Sequence, residues 1–447
     1  MWKIVALLYL LSVVCTESAV TNDVSGEIHA VLIAGSNTYD NYRHQADVSH
    51  AYHVLKDHGV KEENIITLMY DDIANNPENP LPGKIFNAPR SKEVYQGVKI
   101  DYKGDDVNVN NVMAILKGDA KSVKGGNGRV LESTKENRVF VFFVDHGAPG
   151  VLAVVDSLMT VRQLNQTLQT MYDKEMFGQL VFYLEACESG SMFEGILPTN
   201  LNILAITASN STEPSWGDYC DDPIMNTCLG DLFSTNWLED SDIEDLTKES
   251  MRTQFDIVKI LTNESNVMKY GEMRIFNEAV ASFQGKLQTK HTKQANARRQ
   301  QMMNKQKSIR WPIKDIPLLS LQSRIRRTKD LSKRAELAKQ LEQMKTKRAY
   351  HDAHTHAFVQ KLLQNESEEL RQKILTKKPK QIVSLDCHHE VVTAYHEKCF
   401  NLGRNSYAMN VAGPLNNLCD HGFSARTVIK AMEEHCAHKN PQMDNIR

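Results

Sequence analysis

The chain lacks long hydrophobic runs. Beyond its first residues it nowhere holds the roughly 18 consecutive apolar residues that a bilayer span needs, so a membrane-embedded body is excluded and a soluble mature protein is expected. It also lacks net charge, at −2 over 447 residues, yet the balance hides a division. Residues 1–285 carry 22 Lys and Arg against 40 Asp and Glu, whereas residues 286–447 carry 31 against 15, so the two parts are expected to be each other's partners. A basic tract could bind nucleic acid, but the N-terminus argues against its meeting any. Met1-Trp2-Lys3, an apolar Ile4–Val14 and small residues to Ala19 predict a secretory signal peptide over residues 1–19. A length of 447 residues predicts two or three domains.

Cysteine is scarce. Of eight, Cys15 leaves with the signal peptide, Cys220 and Cys228 share one acidic loop, and Cys387, Cys399, Cys419 and Cys436 cluster near the C-terminus. In an oxidising compartment the loop pair and the last four can all be bridged, with three connectivities open to those four. Cys187 is left over. Zinc ligation by Cys387, His388, His389, His396 and Cys399 is the competing reading, and the oxidising setting favours disulfides.

What is present is a histidine and a cysteine at the ends of two apolar runs. Val139–Val144 closes on Asp145-His146-Gly147, and Leu180–Leu184 closes on Glu185-Ala186-Cys187. Such runs read as buried parallel strands, and open parallel sheets bind ligands at strand carboxyl ends. A thiol there needs a base, which His146 supplies, and oxyanion donors, which the backbone N–H groups of Gly147 and Cys187 supply. The structural alternative is an inert buried thiol beside a surface histidine. Further strands are predicted at Ile28–Ala34, Ile65–Met69 and Ile203–Ala208, and helices at His44–His58, Val112–Leu116 and Val161–Tyr172. Alternation of this kind predicts an α/β fold with right-handed crossovers. Asn75–Asp105, rich in Pro, Gly and Asn, is predicted to leave the sheet.

The motifs AGSNTYDNYRHQAD (Ala34–Asp47), MYDDIA (Met69–Ala74), VDHGAPG (Val144–Gly150), EACESGSM (Glu185–Met192) and LGDLFSTNWLEDSD (Leu229–Asp242) resemble those of the legumain family of asparaginyl endopeptidases, relatives of the caspases. The resemblance runs from about residue 26 onward. It implies a caspase-like α/β/α sandwich with a mainly parallel sheet over residues 26–285, a basic linker and activation peptide over 286–345, and a helical, disulfide-stapled prodomain over 346–447. It implies Cys187 as nucleophile, His146 as base and acid, and Asn41 as the residue orienting His146. Arg43, His44, Glu185, Ser215 and Asp231 would line a pocket for asparagine, with some cleavage after aspartate in acid; read singly, Arg43 and Asp231 could be ordinary surface charges. The bridges it implies are Cys387–Cys419 and Cys399–Cys436. Partners would be peptide substrates, the chain's own prodomain as inhibitor and cystatin-type inhibitors, with no cofactor or metal required.

A latch of ion pairs between the acidic and basic parts is expected to weaken between about pH 6 and 4, opening the zymogen in an acidic endosome- or lysosome-like compartment or on secretion. Lys329 stands where relatives carry an asparagine for self-cleavage, so processing would use Asn296, Asn304 or another protease. Lys117-Gly118-Asp119 replaces an RGD triplet, and no integrin contact is inferred. Sequons at Asn165, Asn210, Asn263 and Asn365 are candidate glycosylation sites. The other functions weighed are the GPI-anchor transamidase catalytic subunit, expected to need a C-terminal membrane helix; a peptide ligase using the same acyl-enzyme; and a catalytically silent secreted binding protein.

Overall fold

The structure, a computed structural model, describes residues 26–286 and 308–443. The catalytic part runs β1 (Ile28–Ala34), α1 (Tyr42–Asp57), β2 (Ile65–Met69), α2 (Val109–Leu116), β3 (Arg138–Val144), β4 (Gly147–Ala148), β5 (Val151–Val154), β6 (Ser157–Thr160) and α3 (Val161–Asp173). It continues through β7 (Gln179–Glu185), β8 (Ile203–Thr207), β9 (Trp216–Asp218), β10 (Gly230–Asp231), α4 (Leu232–Ile243), α5 (Met251–Leu261), β11 (Met268–Gly271) and α6 (Ala281–Gln284). The main sheet has the order β11-β8-β7-β3-β1-β2, parallel except for the edge strand β11.

Alternation along each buried strand feeds two cores. In β3, Val139, Val141 and Phe143 face α2 and α3, while Phe140, Phe142 and Val144 face α1, α4, α5 and α6. Trp237 of α4 fills the second layer, with its ring centroid 5.0 Å from Phe142, 5.4 Å from Tyr183 and 5.8 Å from Phe140. Helix starts follow local chemistry. Thr160 and Gln163 form a reciprocal capping box at α3, and Ser250 caps α5. The result is the predicted α/β/α sandwich.

Beyond residue 308, a short strand β12 (Trp311–Pro312) leads into the helix Ile316–Arg327, a 32-residue helix Leu331–Leu362, and four shorter helices at Glu368–Thr376, Leu385–Lys398, Ala412–Asp420 and Ala425–Cys436. Disulfides join Cys387 to Cys419, Cys399 to Cys436 and Cys220 to Cys228, so no thiolate remains for zinc at Cys387 or Cys399. The predicted strand boundaries lie within one residue of those observed, because continuous burial marks them. The α2 helix begins three residues earlier than predicted, where Asn108 accepts from Asn111 N–H as its N-cap. The domain boundary placed at 345 falls inside the 32-residue helix. Residues 75–105 do leave the sheet, but they pack back on it: Asp101 accepts from Thr67 N–H at 2.9 Å, and Asn87 is buried beside α1.

Candidate active site

Strand register fixes the site. Ala34, Val144 and Glu185 are cross-strand partners at the same edge of the sheet, so the residues after β1, β3 and β7 emerge side by side. Asp145 N–H donates to Glu185 O at 3.1 Å, tying the two functional loops together. Gly147 touches the backbone of Cys187 so closely that a Cβ there would lie 2.3 Å from Cys187 O, a contact only glycine permits. Glu188 holds the left-handed conformation, φ +47°, and so turns the chain sharply after Cys187.

Asn41, at the start of α1, places its Oδ1 2.8 Å from His146 Nε2. Its Nδ2 donates to Asn37 O at 2.9 Å, which fixes the amide orientation and makes Oδ1 the acceptor. His146 Nε2 therefore carries the proton, and Nδ1 has no hydrogen-bond partner among the described residues. Burial first, then the Arg43 charge, holds His146 well below the usual imidazole range. Burial pushes the Cys187 thiol up to about 12, with Glu188 adding to this and Lys314 opposing it. The pair is a neutral thiol and a neutral imidazole in this state. Cys187 is the free cysteine among the described residues.

Beside it lies a buried polar cluster. Arg43 and Asp231, 1 % and 0 % exposed, pair at 2.8 Å through Nε and Oδ1. His44 Nδ1 is 2.6 Å from Ser36 Oγ, and its Nε2 is 3.6 Å from Asp231 Oδ2. Burial, then the Arg43 charge, depresses His44 well below its ordinary value, so it is neutral. Glu185 Oε2 accepts from the N–H and hydroxyl of Ser234, and Ser215 Oγ lies 3.9 Å from Cys187 Sγ. Arg43 Nη2, Glu185 Oε1 and Asp231 Oδ2 are buried without hydrogen-bond partners among the described residues. The structure thus brings together Asn41, Arg43, His44, His146, Glu185, Cys187, Ser215 and Asp231.

The site is covered by the chain's own C-terminal part. Trp311 pairs with Gly217 and Pro312 with Trp216, antiparallel, and Ile313 N–H donates to Ser215 O at 3.1 Å. Ile313 and Ile316 are buried against Cys187 and the Cys220–Cys228 bridge. Lys314 Nζ meets Glu188 at 3.1 Å and Asn410 at 2.9 Å. Further ion pairs cross at Arg324–Glu78, Arg327–Asp221, Arg162–Asp386 and Arg404–Asp156. Sequence reasoning missed Lys314, Glu188 and the strand β12. A two-residue strand beside a proline carries no periodic signal, and charged residues in a basic tract look alike. Asn296 and Asn304 lie outside the described residues.

A buried thiol with an oriented histidine, beneath a covering segment of the same chain, defines a cysteine peptidase held as a zymogen. The sequence comparisons agree. The Peptidase C13 family matches residues 28–286 and the legumain prodomain matches residues 339–436. The chain is 39 % identical to mouse legumain over 440 residues, covering 97 % of this chain and 99 % of that one. It is 39 % identical to the hemoglobinase of Schistosoma japonicum (96 % and 98 % covered) and 36 % identical to the Arabidopsis thaliana vacuolar-processing enzyme delta-isozyme (98 % and 98 %). Caspase-1 from Spodoptera frugiperda aligns with a TM-score of 0.35 at 12 % identity, covering 62 % of this chain and 96 % of that one. This chain belongs to the Peptidase C13, or legumain, family.

Proposed function

We propose that the protein is an asparaginyl endopeptidase zymogen. The observation that carries this is the pocket with one unpartnered guanidinium nitrogen, Arg43 Nη2, and two unpartnered carboxyl oxygens, Asp231 Oδ2 and Glu185 Oε1, all buried. An asparagine carboxamide offers one acceptor and two donors, the complementary set. An ionised aspartate side chain would face two carboxyl groups, whereas its protonated form keeps a donor. Cleavage after aspartate should therefore grow as pH falls toward the aspartate pKa, about 4.

In the mechanism, His146 Nδ1 takes the Cys187 proton as sulfur attacks the carbonyl carbon. The oxyanion is held by the N–H groups of Gly147 and Cys187. Collapse releases the amine, protonated by His146, and leaves a thioester. His146 then draws a proton from water, which attacks the thioester and frees the acid and the thiol. Asn41 holds the ring through Nε2 and stabilises the imidazolium that forms in each half-reaction. The signal-peptide pattern of residues 1–19, together with three disulfides, supports passage through an oxidising secretory route to an acidic compartment. No helix of the described residues is long and apolar enough to cross a membrane.

The experiment is hydrolysis of fluorogenic Ala-Ala-Asn, Ala-Ala-Asp and Ala-Ala-Gln peptides by acid-treated zymogen, with Cys187→Ala as control. The expected outcome is preference for Asn at every pH and a rising Asp/Asn ratio in acid. Equal cleavage of Gln, or activity in Cys187→Ala, would overturn the reading.

A further inference from the structure

Asp231 opens helix α4, yet its carboxylate makes no cap bond to that helix and turns to Arg43 instead. An aspartate at this position ordinarily accepts from an N–H two or three residues on. Here Glu185 takes that duty, accepting from Ser234 N–H at 3.1 Å. The N–H of Asp231 itself donates to Asp47 Oδ2, also at 3.1 Å.

Asp47 is fully buried and lies one turn beyond Arg43 on α1, so it approaches Asp231 from the same helix. Its Oδ1 accepts from Asn87 Nδ2 at 2.6 Å, and that nitrogen also donates to Leu229 O at 3.2 Å. Asn87 thus ties α1 to the strand that delivers Asp231. Behind it, His50 Nδ1 is 2.8 Å from Asn87 Oδ1, and His50 Nε2 is 3.0 Å from Asp242. The fit leaves no room: a Cβ on Gly230 would lie 2.8 Å from Asn87 Nδ2, 2.9 Å from Asp47 Oδ1 and 2.4 Å from Thr235 Cγ2.

From this geometry we infer that Asp47 and Asn87 are positioning residues for substrate recognition, a brace that holds the Asp231 carboxylate against Arg43 with its second oxygen turned to the substrate side chain. The inference rests on the carboxamide reading of the pocket and deepens it. Asp47, Glu185 and Asp231 are three fully buried acids, and Arg43 pairs with Asp231 among them. Burial, then the charge of Asp231, raises Asp47 well above the usual carboxylate range. A neutral Asp47 carboxyl can brace Asp231 without repelling it. Asp231 itself faces Arg43 and His44 and Glu185 faces Ser234, whereas Asp47 and Asn87 bond to each other, to Asp231 N–H and to Leu229 O.

The test uses full-length zymogens Asn87→Ala and Asp47→Asn, acid-activated beside wild type. Steady-state kinetics on the Asn peptide are read together with the rate of Cys187 alkylation by iodoacetamide and the melting temperature. Loss of one hydrogen bond to a charged or charge-facing group predicts a KM about tenfold higher in Asn87→Ala. In Asp47→Asn, which keeps an acceptor for Asp231 N–H, KM should rise about threefold. In both, kcat stays within about twofold and alkylation is unchanged. Unchanged KM, or kcat and alkylation falling in parallel with melting temperature, makes the pair merely structural and overturns the inference. Should Asn87→Ala not fold, Asp47→Asn decides by the same criterion. Wild-type inactivity on the Asn peptide overturns the specificity reading and the brace with it; wild-type activity with wild-type-like variants overturns the brace alone.

Discussion

At the scale of single residues the site works by division of labour among polar atoms. Asn41 spends its Nδ2 on Asn37 O and its Oδ1 on His146, so one amide fixes both its own orientation and the imidazole tautomer. Asn41→Ala should lower kcat on the Asn peptide by about 10- to 100-fold with KM nearly unchanged, because the lost bond matters most when the ring is charged. Steady-state kinetics after acid activation check this, and a loss confined to KM would contradict it. The four sequons also differ at this scale. Asn165 donates Nδ2 to Val161 O at 2.9 Å and Met192 O at 2.8 Å, whereas Asn263 and Asn365 are exposed. Mapping of N-glycans by mass spectrometry is expected to find glycan at Asn263 and Asn365 and none at Asn165.

At the scale of elements the decisive piece is the strand β12 and the turn after it. Trp311–Ile313 lies along Ser215–Gly217 as an extended backbone, and Ile313 and Ile316 shut Cys187 from solvent. Burial raises the thiol, so covering the site also disarms it. Lys314 pairs with Glu188 where both side chains are mostly buried, 15 % and 11 % exposed. Lys314→Glu puts two carboxylates together there, and loss of such a pair is strongly destabilising. The expected result is alkylation of Cys187 in the intact zymogen at pH 7 at least tenfold faster than in wild type. An unchanged rate would mean that the strap is held by its apolar contacts alone. Elements such as β12 carry no periodic pattern, so the sequence announces the basic tract but not which residues of it lie over the sulfur. The strands that deliver His146 and Cys187 were legible for the opposite reason: six buried apolar residues in β3, Val139–Val144, and five in β7, Leu180–Leu184, leave an uninterrupted apolar signature.

At the scale of the whole molecule, an acidic body is closed by a basic C-terminal part. Their interface also buries histidine. His388 is fully buried, its Nε2 lies 3.0 Å from Pro149 O, and Gly150 packs on its ring. Burial lowers His388 to about 4 and, within the C-terminal helices, His354 to about 3. A depressed folded-state value means the neutral ring is favoured. Its contribution is fully present above the unfolded value near 6.5 and is lost as pH falls toward the folded value. For His388 a difference of about 2.5 units corresponds to roughly 3 kcal/mol. In the Cys187→Ala zymogen, melting of the C-terminal part should therefore drop between pH 7 and 4.5. His388→Gln should reduce that drop, and a flat profile in the unmutated histidine background would sink the account. The ion pairs across the same interface predict that added salt hastens opening.

The sequence by itself determined the local and the repetitive: the five parallel strands of the main sheet, the helices between them, the odd cysteine, and the opposed charges of the two parts. Each follows from burial, capping chemistry or counting, which need no knowledge of distant neighbours. Only the tertiary structure decided which charges are buried and which atoms are left unpaired. Arg43 and Asp231 are 188 positions apart, Asp47 and Asn87 are 40 apart, and Lys314 and Glu188 are 126 apart. A charged residue in a polar loop reads alike whether it ends in water or in a buried cluster. What separates the two is the desolvation that only the assembled sheet, loop and covering segment impose.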